Sequence, residues 1–353
     1  MKPKKISFNN LKSWIDLMIK RYPVYGPVLE NENYDYKLIY KASDIDFEFD
    51  RTRLSIKDHF FKPKEVLMTA SLSKGNPKAI LTEVEPEIIF GSRPCDITAL
   101  NLFDRVFSGK YPDPYYWAQR DKHIIIGMRC IEKCRTSFCG TMDSYDPKTG
   151  YDIIITKMEE KQFLVEGGSE KGRLLINESE SLFDDVVDEN LSQINKIFQE
   201  ISNIFQPDHH KVGFRALMNI GNNLGKKLHK EYGEICLSCG QCTFVCPTCW
   251  CFNVYESISA DPEDFGNIDK TARTRQWTSC LLKQFHTVSG DPPHVFKRNV
   301  SSRLEAWYDH KFKGIIKHYG VFGCVGCGRC YSSCPVGINI RESLSVLTGV
   351  GGD

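Results

Sequence analysis

Two stretches of this chain repeat one pattern of cysteines. Residues 236–247 read CLSCGQCTFVCP and residues 324–335 read CVGCGRCYSSCP. Each is CxxCxxCxxxCP, the spacing that holds bacterial [4Fe-4S] cubanes in pairs, with three close thiolates on one cluster and the fourth, before proline, on the other. The spacing therefore assigns Cys236, Cys239, Cys242 and Cys334 to one cluster, and Cys324, Cys327, Cys330 and Cys246 to a second. Gly240 and Gly328 let the backbone approach closely, so that its N–H groups can reach sulfur. A zinc site pairs two CxxC or CxxH units around one tetrahedral ion, which leaves the third cysteine and the CxxxCP ending without a use. Cys242, Cys246 and Cys249 also make CxxxCxxC, the spacing of radical enzymes that use S-adenosylmethionine. Cys236, Cys239 and the matching second run account for the same residues, and no series of alternating strands and helices follows to build a barrel.

Seven cysteines lie outside the runs. Cys95 sits in FGSRPCD after one strand-like segment, and Cys130, Cys134 and Cys139 follow another. Two strand-end loops close in space could assemble a third four-thiolate site; unligated buried thiols and a zinc site are the alternatives. Cys249, Cys251 and Cys280, in PTCWC and RQWTSC, are either further ligands or small buried residues beside the clusters, with Trp250 and Trp277 excluding water. Arg273 and Arg275 could bring positive charge near a cluster. The adjacent His209 and His210 point apart in any regular element and suggest no metal site.

The rest of the composition narrows the setting. Fifteen cysteines, an odd number, eleven of them beyond residue 230, in a chain without a secretory signal argue for reduced thiols and a cytoplasmic location. Forty-six Lys and Arg against 45 Asp and Glu leave a net charge of +1, which is not the signature of a nucleic-acid binder. No run approaches the about 20 apolar residues needed to span a bilayer. At 353 residues with 41% hydrophobic content, the chain can fill two or three folded units.

The elements that must position these cysteines read as an α+β protein. Residues 1–168 predict a mixed α/β domain: a helix with Phe8, Leu11, Ile15 and Met18 on one face, N-capped by Ser7, then strands at KLIY, EVLM, EIIF, HIIIGM and DIIIT, with a helix over Asp96–Val106. Residues 169–230 predict a helical linker. Val187, Leu191, Ile194, Phe198, Ile201 and Phe205 form its apolar stripe, which packs on the chain's own core or docks a partner, and a further helix runs from Phe214 to Tyr232. Residues 231–353 predict an α-helical dicluster ferredoxin-like domain, enlarged by the 77 residues between Cys246 and Cys324. That insertion is expected to be helical, as over Val300–His318, and to offer a contact surface around Trp277 and Trp307.

With YPVYGPV, RPCDITAL, the pair Tyr115 and Tyr116, FCGTM, CLSCGQCTFVCPTCWC, RQWTSC and CVGCGRCYSSCP in view, nearly the full chain resembles a family of iron-sulfur electron-transfer proteins. Its members are the iron-sulfur subunit of anaerobic sulfite reductase and the sulfhydrogenase beta subunits. These relatives tend to carry CFC where this chain has Ser137, Phe138 and Cys139, and Cys134 is present instead. The resemblance implies a subunit that takes electrons from a flavin-containing subunit oxidising NAD(P)H or a ferredoxin. It would pass them to a catalytic subunit, first a sirohaem sulfite reductase and alternatively a cytoplasmic nickel-iron sulfhydrogenase. The sequence supplies neither a sirohaem-type nor a nickel-binding cysteine pair of its own. Two other classes compete: an independent reductase with a flavin or substrate beside FGSRPCD as an anion loop, and a regulatory iron-sulfur protein, which has no DNA-reading helix or basic patch to support it.

Overall fold

Hydrophobic runs of five set the centre of the fold. Ile88–Ser92 and Ile124–Met128 are buried at every position, the pattern of parallel strands covered on both faces. In the computed structural model, which describes residues 2–81, 83–159, 161–206, 222–258 and 270–348, they lie inside an eight-stranded sheet. In chain order the strands of the amino-terminal half are β1 (Lys4–Ser7), β2 (Val24–Glu30), β3 (Asn33–Ile39), β4 (Lys64–Ser71), β5 (Lys78–Ala79), β6 (Ile88–Ser92), β7 (Ile124–Met128), β8 (Ile153–Glu159), β9 (Gln162–Gly167) and β10 (Asp184–Asp185). The large sheet has the order β10-β1-β9-β8-β7-β6-β2-β3, parallel from β2 through β8 and antiparallel toward both edges.

Period-two alternation sends β6 and β7 side chains to two cores. Ile88, Phe90, Ile124 and Ile126 face α1 (Phe8–Ile19), whose Leu11, Trp14 and Ile15 are buried against them. The Ser7 hydroxyl caps that helix by accepting from the Asn10 amide at 3.2 Å. Ile89 and Ile125 face the other way, onto Ile97, Leu100 and Phe103. These three belong to the helix Pro94–Phe107, α3 after the short α2 (Lys57–Phe60). Pro114–Lys122, α4, completes the crossover to β7. The next crossover, from β7 to β8, is irregular chain, and it carries Cys130, Cys134 and Cys139.

Helices α5 (Glu170–Asn177) and α6 (Asp188–Ile204) follow. The α6 stripe divides along its length. Ile201 and the adjoining Phe205 are buried, with Phe205 stacked on Tyr145 at 5.2 Å, whereas Val187 and Leu191 stay exposed. Helix α7 (Asn223–Ile235) leads into the first cysteine run. The first part of the helix expected from Phe214, and His209 and His210, lie outside the described residues.

The expected helical insertion is only partly helical. Its first portion forms a hairpin, β11 (Phe252–Ile258) and β12 (Lys270–Trp277), and β12 pairs antiparallel with β4 from Lys270↔Ser71 to Gln276↔Lys64. One four-stranded sheet, β11-β12-β4-β5, therefore joins chain segments about two hundred residues apart. Helix appears after α8 (Gln241–Phe244) as α9 (Val300–Asp309), a π-helical turn over His310–Gly314, and α10 (Ile315–Tyr319). Trp307 and Trp277 are not an outer contact surface. Trp307 is 4% exposed beside Tyr308 and Phe312, and Trp277 stacks on Phe61 at 6.0 Å.

Candidate metal centres

Both cysteine runs fold alike. Gly240, at φ 80°, caps the one-turn helix α8, and Gly328, at φ 74°, caps its counterpart α11 (Arg329–Ser332). Backbone amides turn toward sulfur: Ser238 N–H to Cys236 Sγ at 3.4 Å, Gly326 N–H to Cys324 Sγ at 3.3 Å, and Ile338 N–H to Cys334 Sγ at 3.3 Å. Such N–H···S bonds stabilise thiolate charge. Cys236, Cys239, Cys242 and Cys334 line one cavity, walled by Leu281, Leu304 and Trp307 and bordered by Cys330. The crossed arrangement read from the spacing thus brings its first four thiols around one void.

Cys324, Cys327, Cys330 and Cys246 form the second group; the charges of Cys324, Cys327 and Cys246, and of Cys242 from the first group, act on Cys330. Burial pushes the Cys324 thiol up to about 12 and Cys330 well above its usual range. Cys246 moves the other way: its thiolate is favoured by a hydrogen bond from Cys249, then by the Lys311 ammonium. Lys311, in the π-helical turn, places Nζ 3.3 Å from Cys246 Sγ, 3.2 Å from Thr248 Oγ1 and 3.1 Å from the Gly323 carbonyl. Lys57 donates to the carbonyls of Phe244, Cys246 and Cys249 at 3.1, 3.0 and 3.2 Å, under the Trp277 ring.

Cys95, Cys130, Cys134 and Cys139, the third group, line another cavity together with Arg93, Tyr145, Phe205 and Cys327. Cys95 arrives on the first turn of α3; the other three come from the β7–β8 crossover. Burial pushes Cys130 up to about 12 and Cys139 to about 11. The crossover lies directly on the second run, where Phe138 N–H donates to the Gly326 carbonyl at 2.7 Å. A Cβ at Gly328 would stand 2.3 Å from the Thr136 carbonyl oxygen. Arg329, 1% exposed, fastens the junction by pairing with Asp96 at 2.6 and 2.9 Å and donating to the Thr52 carbonyl at 3.0 Å. In FGSRPCD, Asp96 is taken by Arg329 and Arg93 donates from one terminal nitrogen to the Phe49 carbonyl, while its buried Nε has no hydrogen-bond partner among the described residues.

Among the described residues, no three His, Cys, Asp or Glu side chains converge closely enough to hold a single ion. The Cys236 and Cys95 groups stand around voids instead, amides are aimed at the sulfurs of Cys236, Cys324 and Cys334, and this donor set fits polynuclear iron-sulfur clusters. A family model for a 4Fe-4S dicluster domain matches residues 235–338. Over 334 residues the chain is 30% identical to sulfhydrogenase 2 subunit beta of Pyrococcus furiosus, an alignment spanning 93% of this chain and 92% of that protein. This chain belongs to the iron-sulfur beta-subunit family. It is an electron-transfer subunit with two [4Fe-4S] clusters in its dicluster domain, and no helix among the described residues is long and apolar enough to cross a membrane.

In this beta-subunit family member, Cys249, Cys251 and Cys280 line neither the Cys236 nor the Cys95 cavity. The Cys249 thiol hydrogen-bonds to Cys246, and the Cys280 thiol to Cys251; the latter contact lowers Cys251 to about 7 and raises Cys280. Trp250 packs edge-on to Phe103 at 5.9 Å. The two arginines expected near a cluster are engaged elsewhere. Arg273 pairs with exposed Glu256, and Arg275 is neutralised by Glu65 and Asp113. Positive charge comes to the cysteines from Lys57, Lys311 and Arg329; Arg329 lies inside the second run, whereas the cysteine spacing gives no pointer to Lys57 or Lys311. One signal does mark Lys311: it continues the buried stripe Leu304, Trp307, Tyr308, Phe312 and Ile315, a place where a solvated lysine does not belong.

Proposed function

We propose that the chain carries electrons over three [4Fe-4S] stations in a row, within a cytoplasmic complex, between a flavin subunit oxidising NAD(P)H or a ferredoxin and a catalytic subunit. The stations are Cys236, Cys239, Cys242 and Cys334; Cys246, Cys324, Cys327 and Cys330; and Cys95, Cys130, Cys134 and Cys139. The observation that carries this reading is the position of the middle set: Cys330 borders the cavity of the first set and Cys327 borders that of the third. When bound, the clusters supply one-electron storage, and four cysteine ligands on each leave no open position for a substrate. The protein's own part is to exclude water with Trp307, Leu281 and Phe205, to direct amides at sulfur, and to bring both ends of the row outward. Exposed Cys239 and Leu237 form one such end and partly exposed Cys134 the other. Cys249, Cys251 and Cys280 pack beside the row.

The named relative favours a hydrogenase-type catalytic subunit; a sirohaem sulfite reductase is the alternative drawn from the family resemblance. Anaerobically reconstituted chain should contain about twelve irons and twelve sulfides, falling to about eight in Cys95→Ser. Eight irons in the parent chain, unchanged by Cys95→Ser, would remove the third station. Reduced chain alone should neither take up hydrogen nor reduce sulfite. The complex isolated from its native host should oxidise or evolve hydrogen; sulfite reduction in its place identifies the alternative partner.

A further inference from the structure

Lys311 is a buried ammonium without a carboxylate. It is 2% exposed, its Nζ donates to Cys246 Sγ, Thr248 Oγ1 and the Gly323 carbonyl, and it lies 5.7 Å from the centre of the Trp307 ring. A desolvated cation needs a compensating charge. Among the other buried cations, Arg329 has Asp96 and Arg275 has Glu65 with Asp113, whereas Lys57, Arg93 and Arg303 donate to carbonyl or hydroxyl oxygens and only Lys311 donates to a sulfur. The anion available to Lys311 is the thiolate of the middle group. The π-helical turn over His310–Gly314 makes this contact by widening the helix inside an otherwise apolar stripe.

The other two groups are supplied differently. Beside the first, Arg303 spends its donors on the carbonyls of Leu281, Lys297 and Arg298 and on the Ser238 hydroxyl, reaching no sulfur. Beside the third, Arg93 donates to the Phe49 carbonyl and Arg51 to the Cys327 carbonyl. Lys57 approaches the middle group only through carbonyl oxygens, pinning the Phe244–Cys249 turn.

We propose that Lys311 sets the reduction potential of the middle station by donating from its ammonium to the Cys246 thiolate, so that this station holds electrons more strongly than its neighbours. The inference rests on the ligand set proposed above. Its basis is general: a cluster gains negative charge on reduction, and a fixed positive charge with an N–H···S bond at one ligand stabilises the reduced form. Lys311 touches the ligand and not the reacting partners, so it acts as a positioning residue for charge.

The test is an anaerobic redox titration of the reconstituted full chain followed by electron paramagnetic resonance, comparing wild type with Lys311→Met and Lys311→Arg. At the poise where the middle station is half reduced in wild type, Lys311→Met should lower its reduced-to-oxidised ratio about tenfold, equivalent to about 59 mV for one electron. The other stations should keep their midpoints, and Lys311→Arg should restore most of the shift. Unchanged midpoints in Lys311→Met at full iron content would overturn the proposal. So would a shift that Lys311→Arg leaves uncorrected, because packing and not charge would then be the cause. Should Lys311→Met lose iron, the titration of Lys311→Arg decides: a midpoint within error of wild type supports a charge role, and a shift as large as a cluster-wide disturbance rejects it. Cys246→Ser tests the underlying ligand set separately: an unaltered middle signal there would remove Cys246 as a ligand and overturn this proposal with it, whereas unchanged midpoints in Lys311→Met beside a lost middle signal in Cys246→Ser would overturn the role of the lysine alone.

Discussion

The two cysteine runs share spacing, an αL glycine and a one-turn helix, yet the fold treats them differently. The first opens toward solvent, with Cys239 and Leu237 exposed around a largely apolar cavity. The second is enclosed, with Cys327 buried, the Thr136–Cys139 loop laid across it, and Arg329 and Lys311 among its neighbours. Spacing therefore specifies a cage that can hold a cluster, and the surroundings decide how accessible and how electronegative that cage is. A run near the surface suits exchange with another subunit; an enclosed run suits storage between two others.

The sharpest way to break this comparison is to remove the ligand that crosses between runs. Cys246→Ser should abolish the middle cluster, lowering iron by about four per chain, although Cys246 lies in the first run; Cys249→Ser should leave iron unchanged. Iron analysis with spectroscopy reads both. Next in size, Asp96→Asn removes the partner of a fully buried guanidinium and should cost about 3–5 kcal/mol, seen as a lower denaturation midpoint and early loss of iron bound near Cys327.

The paired glycines sharpen it further. Gly328→Ala meets the left-handed backbone penalty, about 1–2 kcal/mol, plus a backbone clash with Thr136 worth about 1–3 kcal/mol. Gly240→Ala meets the first penalty, but its nearest neighbour is the Ser279 side chain at 2.9 Å. Thermal melts should rank Gly328→Ala below Gly240→Ala. The smallest effect concerns the frame that carries both runs. Burial lowers His123 to about 4, and it is held neutral between Gln119 and the Glu87 amide. Because the unfolded imidazole binds a proton near its ordinary value and the folded one does not, the stability it contributes is present above about pH 6.5 and lost as pH falls toward 4. By pH 5 the loss should reach about 2 kcal/mol, and His123→Gln should flatten that slope in pH-dependent urea melts.

How far the sequence can be read follows from how local each cause is. Short apolar runs announce β6 and β7, the Ser7 cap announces α1, and the duplicated cysteine spacing announces the cages. β2 is hidden because Pro27 interrupts it, and it survives by pairing with β3 along its whole length. The β11–β12 hairpin is mostly exposed along β11 and has no apolar run to betray it; its reason to be extended is β4, far back in the chain. Lys57 is hidden for the same cause, and Lys311 is marked only by its place in an apolar stripe, since each finds the cysteines only through tertiary folding. The third thiol group is legible as four cysteines at two strand ends, but its contact with Cys327 is not.

The pairing of β4 with β12 has a consequence for how the chain is made. A ribosome releases Lys64–Ser71 long before Lys270–Trp277, so one edge of β4 stays unpaired through the synthesis of about two hundred further residues. An open edge of that kind invites wrong partners, and pairings of such long range close slowly. The third cysteine group waits as well, because its wall includes Cys327. The nascent protein thus has its sheet, its loop and its thiols ready early, and gains a closed home for iron only once the second cysteine run has been made.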